Sequence, residues 1–295
     1  MVVLLIPNAT KDQGLAVTRQ AAVLLEKYGL SVLMTDAVER PDSFPKIRTL
    51  PEEQAYQQAD VVLTIGGDGT LLRSGQACVR HRKPVLGVNL GRTGFLATCE
   101  VEEMPEKFQR LAEGTYTIVK RGLLEAGISQ ANWCAHAIND LVVFGQTRLH
   151  PMDYRVYCDG AFVSSYRSDG LIVATPTGST AYSFSAGGPV LDGMADVMVL
   201  TPVCAHNVHT APLVFAATRR LEIVADSENR EVCWACADSG PRHRILPGQK
   251  ILVTAAPEKL RLITFEESEQ FCAIENKLMR RGQMRGCDTD LVCSS

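Results

Sequence analysis

Three glycines, an aspartate and a threonine stand together as Gly66-Gly67-Asp68-Gly69-Thr70, directly after the apolar run 61–65. An apolar run, then glycines, then a helix-like pattern predicts a strand, a tight turn and a helix. The N–H groups of such a turn, at a helix N-terminus, favour an anion such as phosphate. Asp68 is the exception, because a carboxylate repels phosphate unless a metal ion or a proton transfer employs it. The structural alternative is that Asp68 caps the helix. Residues 66–70 are called the glycine turn below.

Two further polar pairs stand beside predicted strands. Asn139-Asp140 precedes an apolar run, and an amide next to a carboxylate can bind sugar hydroxyls or the edge of a base, although the same pair is common in turns. Arg167 and Asp169 are two residues apart before another apolar run. They can present a positive charge and a hydrogen-bond acceptor to one substrate, or form a surface ion pair of little consequence.

Residues 175–189, called the hydroxyl segment below, combine many hydroxyl groups with small residues and glycine. Small residues permit close contact, hydroxyl and N–H groups bind polar ligands, and Tyr182 offers a stacking face. A long loop with little to contribute to packing is usually functional. The segment therefore favours a binding role.

Strands and helices alternate through the first hundred residues. Apolar runs predict strands at 2–6, 31–34, 60–65 and 84–88, and helical patterns fall at 12–29, at 52–58 and after the glycine turn. This alternation is typical of βαβ units on a parallel sheet. Ligands bind beyond the C-terminal ends of the strands in such sheets, and the glycine turn and the loop 89–95 both fall there.

The pattern changes after Tyr116, where short strand-like runs dominate for about 150 residues. Asp159-Gly160 between two of these runs predicts a β-hairpin. The chain is therefore predicted to have an α/β N-terminal domain with a parallel sheet and a predominantly β, β-sandwich-like second domain. The predicted divisions are the α/β domain at 1–100, the β-rich domain at 101–265, a helix at 266–282 that packs back on the first domain, and a tail at 283–295.

Composition argues against several classes of protein. A formal net charge of −3 without a long basic run argues against nucleic-acid binding. No apolar stretch approaches the ~20 residues that span a bilayer, and the N-terminus does not resemble a signal peptide, so we expect no membrane association and a cytoplasmic protein. The ten scattered cysteines fit reduced thiols. Cys233 and Cys236 would lie on opposite faces of a strand, which favours packing over a shared zinc ion.

Together these residues resemble the NAD kinase family, in the family's order and over most of the chain. The glycine turn alone is shared with diacylglycerol and sphingosine kinases and, less closely, with phosphofructokinases, whereas the block 175–182 is far more specific. The other segments that resemble the family are 89–91, 94–96, 139–140, 169–170, 201–206 and 277–278. The resemblance implies an NAD kinase/diacylglycerol kinase-like fold with a site in the cleft between its two domains.

The resemblance also implies an activity. The γ-phosphoryl group of ATP, or of polyphosphate, would pass with Mg²⁺ to the 2′-hydroxyl of the adenosine ribose of NAD, giving NADP, in a homodimer or homotetramer. Asp68 would act as general base, a form of assistance worth ~10²–10⁴-fold. No side chain is expected to hold the metal ion. The substrate-binding residues implied are Asp68, Gly69, Arg73, Phe95, Asn139, Asp140, His150, Arg167, Asp169, Thr180, Ala181, Tyr182, Ser183, Phe184 and Ser185.

The resemblance gives these residues distinct roles. Gly69 would let the ribose come close, and Phe95 would form a wall for the adenine. Asn139 and Asp140 would hold the adenosine or the nicotinamide part, while residues 180–185 wrap the other end with Tyr182 stacked on a base. Arg167 would supply positive charge, and Asp169 would fix a polar group of NAD.

Three positions depart from the family. The family usually has Asn-Glu at 139–140, often has arginine at Ala211, and often has an amide at Gly240.

Two other functions compete with an NAD kinase. A lipid kinase shares the glycine turn, and a non-catalytic NAD or NADP sensor would bind a dinucleotide without needing the carboxylate of Asp68.

Overall fold

The computed structural model describes residues 1–41, 44–91, 94–129, 131–147, 150–206, 210–229, 231–246, 248–266 and 273–274. These residues form two compact units. The first comprises Met1–Ser74, Lys83–Ile118 and the described residues from Ile263 on, and the second comprises Gly75–Arg82 and Val119–Leu262.

A parallel sheet forms the centre of the first unit. Its strands are β1 (Val2–Pro7), β2 (Ser31–Thr35), β3 (Arg48–Leu50), β4 (Val61–Gly66), β5 (Val85–Asn89) and β6 (Cys99–Glu100). Their order is β5-β4-β1-β2-β3, with β6 on β5, and the pairings are parallel. All residues of β4 and β5 are buried, as their continuous apolar sequences require.

Four helices accompany this sheet. They are α1 (Ala16–Lys27), α2 (Glu52–Gln58), α3 (Asp68–Arg80) and α4 (Met104–Glu113), with single 3-10 turns at Gln13–Leu15 and Val101–Glu103. Helix α4 ends at Gly114, whose φ of 75° is the left-handed conformation common after a helix. Phe108 and Leu111 of α4 are buried in one cluster with Leu25 of α1, so the first unit extends beyond residue 100.

The second unit contains two antiparallel sheets. The strands, in chain order, are β7 (Thr117–Ile128), β8 (Cys134–Ala137), β9 (Asp140–Gly145), β10 (Met152–Cys158), β11 (Ala161–Ser168), β12 (Gly170–Ala174), β13 (Val197–Val203), β14 (Leu213–Ala216), β15 (Leu221–Ala225), β16 (Cys233–Ala237), β17 (His243–Ile245) and β18 (Lys250–Thr264). One sheet has the order β11-β10-β15-β18, with β7 next to β18 and β8 next to β7; the other has the order β14-β13-β12-β9-β16-β17.

Apolar side chains from both sheets share one core. Tyr154 and Ile223 of the first sheet and Leu141, Val173 and Ala235 of the second are all at most 1% exposed. Alternate residues face this core along each strand, which is the arrangement of a β-sandwich. Two short helical pieces follow β12, a 3-10 turn at Gly178–Thr180 and α5 (Tyr182–Ser185).

The predicted fold class is confirmed, and the differences concern single strands. The predicted runs 117–120 and 123–128 form one strand, β7, and the runs at 251–255 and 261–265 join in β18. The predicted hairpin at Asp159-Gly160 is present, with φ of 50° and 84° at the two turn residues. The strands that had not been predicted are β3, β6, β8, β14 and β17.

Two predicted segments lie almost wholly outside the described residues. Of the predicted helix 266–282, the described residues are Glu266, which is not helical, and Ala273 and Ile274, which are helical; the predicted tail 283–295 lies outside the described residues. Within the described part of the chain, no helix has the length and apolar character needed to cross a bilayer.

Candidate active site

The glycine turn stands at the C-terminal edge of the first unit's sheet, between β4 and α3. A Cβ at Gly66 would lie 2.4 Å from Thr70 Oγ1 and 2.8 Å from the Asn8 Cβ, so only glycine fits there. Gly67 has a φ of 140°, which residues with side chains rarely adopt. The carbonyl of Gly67 accepts the N–H groups of Thr70 (2.9 Å) and Leu71 (3.1 Å) and so closes the first turn of α3.

The carboxylate of Asp68 reaches from the turn to a neighbouring loop. It accepts the backbone N–H groups of Phe95 at 2.9 Å and of Leu96 and Ala97 at 3.0 Å each. Gly94 makes this approach possible, because a Cβ there would stand 2.2 Å from Asp68 Oδ1. These three hydrogen bonds connect Asp68 to the loop 94–97, and α3 begins at Asp68 itself.

Three other predicted site residues of the first unit surround Asp68. Gly69 is exposed, and nothing lies within 4 Å of a Cβ placed on it, which leaves room for a ligand at the first turn of α3. Arg73 is one turn further on and donates from Nη2 to Thr70 Oγ1 at 3.4 Å. Phe95 is half-buried and holds the Asp68 carboxylate through its N–H. The structure therefore brings Asp68, Gly69, Arg73 and Phe95 together.

Three strand ends meet around Asn139 and Asp140 in the second unit. Asp140 opens β9 and pairs with Ala174 at the end of β12, while Leu141 pairs with Ala237 at the end of β16. Asp238 follows β16, and its carboxylate accepts the N–H groups of Ile138 (2.6 Å), Asn139 (2.8 Å) and Asp140 (3.2 Å). One carboxylate thus fixes the backbone of the whole polar pair.

The sequence Asp238-Ser239-Gly240 resembles a later Asp-containing turn of the same family, but Asp238 is not among the predicted site residues. Its neighbour Ser239 and Asp238 itself have φ of 60° and 47°, so the chain turns sharply in the left-handed region directly after β16. A carboxylate at such a turn after an apolar strand is the local feature that marks this position in the sequence. Its partners are about a hundred residues earlier in the chain, and no local pattern identifies them.

The hydroxyl segment packs directly on Asn139. The carbonyl of Asn139 accepts the Thr175 N–H at 2.8 Å, and Thr175 Oγ1 donates to the Ile138 carbonyl at 2.6 Å. A Cβ at Gly178 would lie 2.0 Å from the Asn139 carbonyl oxygen. The segment and the Asn139-Asp140 pair therefore form one structure, as the hypothesis of a shared binding site requires.

Side chains of the hydroxyl segment differ in how far they are exposed to solvent. Tyr182 and Phe184 are 37% and 40% exposed, large for aromatic residues and suited to stacking on a base. Ala181 and Thr180 are half-buried, and Ser185 is exposed.

Ser183 differs from the prediction. It is fully buried, and its Oγ lies 2.8 Å from Thr201 Oγ1. Its hydroxyl therefore serves the packing of the segment.

Burial changes the proton affinity of the two carboxyl groups at this site. Burial and, to a smaller extent, the nearby Asp238 charge raise the pKa of Asp140 to about 7, against the Tyr182 N–H, which favours the charged form. Burial also raises the pKa of Asp238, against the three N–H groups that favour its charged form. A pKa of about 7 leaves the Asp140 carboxyl group partly protonated near neutral pH.

Replacement of Asp140 by asparagine tests this pKa. A carboxyl group whose pKa is higher in the folded than in the unfolded chain stabilises the fold fully below the unfolded pKa, here 3.8. This stabilisation is lost as the pH rises toward the folded pKa of about 7. We compare the free energy of unfolding of Asp140→Asn with that of the parent chain at each pH. The difference, variant minus parent, should be about 2 kcal/mol larger at pH 8 than at pH 5. Urea unfolding at both pH values measures it. Glu258→Gln, at an exposed position, is the control, and an equal change in both variants would contradict the assignment.

Arg167, Asp169 and His150 lie away from this group. Asp169 precedes β12, whereas Asp140 pairs with the last residue of that strand. Four residues of strand separate Gly170 from Ala174, which is roughly 13 Å. The exposed Arg167 forms an ion pair with Asp153 at 3.3 Å, and the exposed His150 lies 3.7 Å from Glu231. The structure therefore does not bring these three residues to the Asn139 end of the sheet.

Two cysteines lie close together on β16. Cys233 is buried and Cys236 half-buried, three positions apart on β16, so their side chains face opposite ways. In the part of the chain that the structure describes, no three His, Cys, Asp or Glu side chains gather as a metal-binding group.

Two family models match successive parts of the chain. The model of the ATP-NAD kinase N-terminal domain matches residues 3–116, and that of the ATP-NAD kinase C-terminal domain matches residues 138–265. The chain is 35% identical over 250 residues to the NAD kinase of Pseudomonas entomophila (strain L48), covering 84% of each chain. It is 33% identical over 273 residues to the NAD kinase of Chlorobium phaeovibrioides (strain DSM 265 / 1930), covering 92% of this chain and 95% of the relative.

Two solved structures share the fold. Yeast NADH kinase complexed with NADH superposes with a TM-score of 0.79 at 23% identity, covering 100% of this chain and 90% of the yeast chain. An NAD kinase from Archaeoglobus fulgidus in complex with ATP superposes with a TM-score of 0.71 at 22% identity, covering 94% of this chain and 99% of the other.

Proposed function

The chain belongs to the NAD kinase family, and from this we propose that it phosphorylates NAD with ATP at the 2′-hydroxyl of the adenosine ribose. The 2′-oxygen forms a bond to the γ-phosphorus, while the bond from that phosphorus to the β–γ bridging oxygen breaks. The hydroxyl proton passes to Asp68 and then to solvent. The products are NADP and ADP.

The observation that carries this proposal is the position of the Asp68 carboxylate. It stands at the glycine turn, held by the N–H groups of Phe95, Leu96 and Ala97. A base fixed beside a phosphate site is what activation of a hydroxyl toward phosphate requires. Phosphoryl transfer otherwise depends on positioning and charge neutralisation, which backbone N–H groups and cations supply.

We propose that Mg²⁺ is bound by the phosphate groups of the donor, ATP. Phosphate oxygens of ATP are hard ligands of the kind that Mg²⁺ prefers. The described residues contain no group of three carboxylate, imidazole or thiol side chains that would hold an ion on the protein alone. The metal ion would then enter as part of the ATP complex and would neutralise phosphate charge.

Recognition of NAD is proposed to rest on the second unit. Asn139 and Asp140 offer an amide and a carboxyl group at one edge of the sheet, and the exposed rings of Tyr182 and Phe184 stand in the segment that packs on them. An amide, a carboxyl group and a stacking ring can together bind a ribose and a base. The residues Gly69, Arg73 and Phe95 complete the proposed set in the first unit.

The two competing functions receive no support. The family models and the curated relatives are NAD kinases, and none of those reported above is a lipid kinase or a regulator without activity.

An assay of the purified chain with MgATP and NAD, coupled to an NADP-specific dehydrogenase, tests the proposal. Parallel reactions with NADH, with inorganic polyphosphate and with diacylglycerol define acceptor and donor. Phosphorylation of the lipid without formation of NADP would overturn the proposal.

We propose further that the chain acts as a homodimer or homotetramer in which Arg167, Asp169 and His150 contact NAD bound by a neighbouring copy. The support is their position, since Asp169 and Asp140 are at opposite ends of β12. Symmetric assemblies are the common form of soluble oligomers, and each site then receives residues from two copies.

Mixed oligomers provide the test. Asp68→Asn and Asp169→Asn chains, each expected to be weakly active alone, should regain about a quarter of the parent activity when co-expressed, because a mixed dimer then contains one intact site. Two Asp68→Asn chains with different affinity tags give no such recovery and serve as the control. If the mixture stays as inactive as its components, the two residues act within one chain or Asp169 does not bind NAD.

We also propose a cytoplasmic location. The described cysteines Cys78, Cys99, Cys134, Cys158, Cys204, Cys233 and Cys236 are free thiols. Free thiols on exposed positions such as Cys134 and Cys204 fit a reducing compartment.

A further inference from the structure

Lys11 lies against the glycine turn, in the loop that follows β1. Pro7 pairs with Ile65, so this loop leaves the sheet beside the turn. The Lys11 Nζ is 3.4 Å from the carbonyl oxygen of Gly66 and would be 3.3 Å from a Cβ on Gly67. The ammonium group therefore sits on the backbone of the turn itself.

Asn8 fixes the loop in this position. Its N–H donates to the Ile65 carbonyl at 2.8 Å, and its Nδ2 donates to Thr70 Oγ1 at 3.1 Å, at the far end of the turn. Its Oδ1 accepts the N–H groups of Thr10 and Lys11 at 3.2 and 3.3 Å. The backbone of Lys11 is thus attached to both ends of the glycine turn.

The charge of Lys11 is not neutralised by the residues that the structure describes. The neighbouring Asp12 directs both carboxylate oxygens to the start of α1, where they accept the N–H groups of Val17 and Thr18 and the Thr18 hydroxyl. The described partner of the Lys11 ammonium is the neutral Gly66 carbonyl at 3.4 Å, a long and weak hydrogen bond. An ammonium group placed there remains able to bind an anion.

The turn offers further groups to the same anion. The N–H groups of Gly67 and Gly69 donate to no acceptor among the described residues, and both stand at the N-terminus of the 13-residue helix α3. Asp68 lies between them, and its negative charge opposes the approach of phosphate. A cation beside the turn offsets that charge, which the N–H groups alone do only in part.

We propose that Lys11 binds the phosphate groups of the phosphoryl donor at the glycine turn. The inference rests on the proposed function, because it assigns the donor to this turn. A lysine ammonium is a compact point charge that recognises phosphate whatever is attached to it. Loss of Lys11 should therefore weaken ATP and inorganic tripolyphosphate alike and leave NAD unaffected.

Lys11→Met tests the proposal in the full-length chain. We expect a decrease in kcat/KM for ATP of about 10- to 100-fold, the range of one hydrogen bond to a charged group, with KM for NAD within about twofold. Calorimetric titration with ATP and with tripolyphosphate, in the absence of NAD, should show a weakening of the same order for both. Lys11→Arg keeps the charge and should restore most of the affinity.

Lys83→Met is the matched control. Lys83 also donates from Nζ to a backbone carbonyl, that of Gln57 at 3.1 Å, but precedes β5 at the opposite edge of the same sheet. Its removal should leave donor affinity unchanged. If the parent chain forms NADP and Lys11→Met binds both polyphosphates as the parent does, the inference is wrong and the proposed function stands. A parent chain that forms no NADP contradicts the proposed function instead, and the titrations still decide whether Lys11 binds phosphate.

Discussion

Replacing Asp68 by asparagine is expected to lower kcat for NADP formation by about 100- to 10,000-fold and to leave NAD affinity within a few-fold. Asparagine keeps the size of the side chain and one acceptor oxygen for the N–H groups of Phe95, Leu96 and Ala97, but cannot take a proton. Steady-state kinetics and an equilibrium titration with NAD measure the two effects. Turnover within about tenfold of the parent would exclude a general-base role.

Two further variants separate loss of the base from disturbance of the loop. Asp60→Asn is the matched control, because Asp60 precedes β4 at the opposite end from the glycine turn and also accepts a backbone N–H, that of Val2 at 2.7 Å. Its kcat should equal that of the parent. Gly94→Ala keeps the Asp68 carboxylate but displaces it, since the added Cβ would stand 2.2 Å from Oδ1. A large loss of kcat in Gly94→Ala shows that the position of the carboxylate matters as well as its presence.

Removal of the Asp238 side chain is expected to have the largest effect on stability. Asp238→Ala leaves the N–H groups of Ile138, Asn139 and Asp140 without their acceptor. Each N–H group left without an acceptor costs roughly 1–3 kcal/mol of stability. Relief of the repulsion between Asp238 and Asp140 offsets part of this cost, so the free energy of unfolding should fall by about 3–5 kcal/mol. Chemical denaturation measures this change. KM for NAD should increase as well, because the displaced backbone carries the proposed binding pair.

Asp159→Ala is the control for this variant. Asp159 also has a positive φ, 50° against 47° at Asp238, and its carboxylate also accepts a distant backbone N–H, that of Arg220 just before β15, at 2.9 Å. The turn at Asp159 is exposed, so water can replace the lost acceptor and the loss of stability should be clearly smaller than in Asp238→Ala. Asp238→Asn, which retains an acceptor oxygen, should lie closer to the parent. Equal losses in Asp238→Ala and Asp159→Ala would show that backbone strain, and not the stranded N–H groups, sets the cost.

Local patterns predicted the elements and the position of the glycine turn. The run 61–65 and the glycines after it are sufficient, because a buried parallel strand and a turn each depend on neighbours in sequence. Two-residue hairpins such as that at Asp159-Gly160 are local in the same sense. Strands β8, β14 and β17 were missed because they are three or four residues long and carry no clear alternation.

The partners of the two acidic side chains could not be predicted. Asp68 is bonded to residues 27–29 positions later, and Asp238 to residues 98–100 positions earlier. Such contacts depend on how loops pack in space, and neither the periodicity nor the composition of the sequence predicts that packing. The same reason explains Ser183, which was expected to face a ligand and is buried against Thr201.

The contacts of the hydroxyl segment bear on the thermodynamics of binding. Its buried hydroxyl groups tie it down at Thr175, Ser179 and Ser183, and its glycine at 178 is fitted to the Asn139 carbonyl. Fixing one residue of a mobile loop costs about 1–2 kcal/mol of conformational entropy. A segment already ordered by its own hydrogen bonds incurs that cost when the chain folds, not when NAD arrives. Binding should therefore approach lock-and-key behaviour, with a rate of association that does not wait for a loop to close.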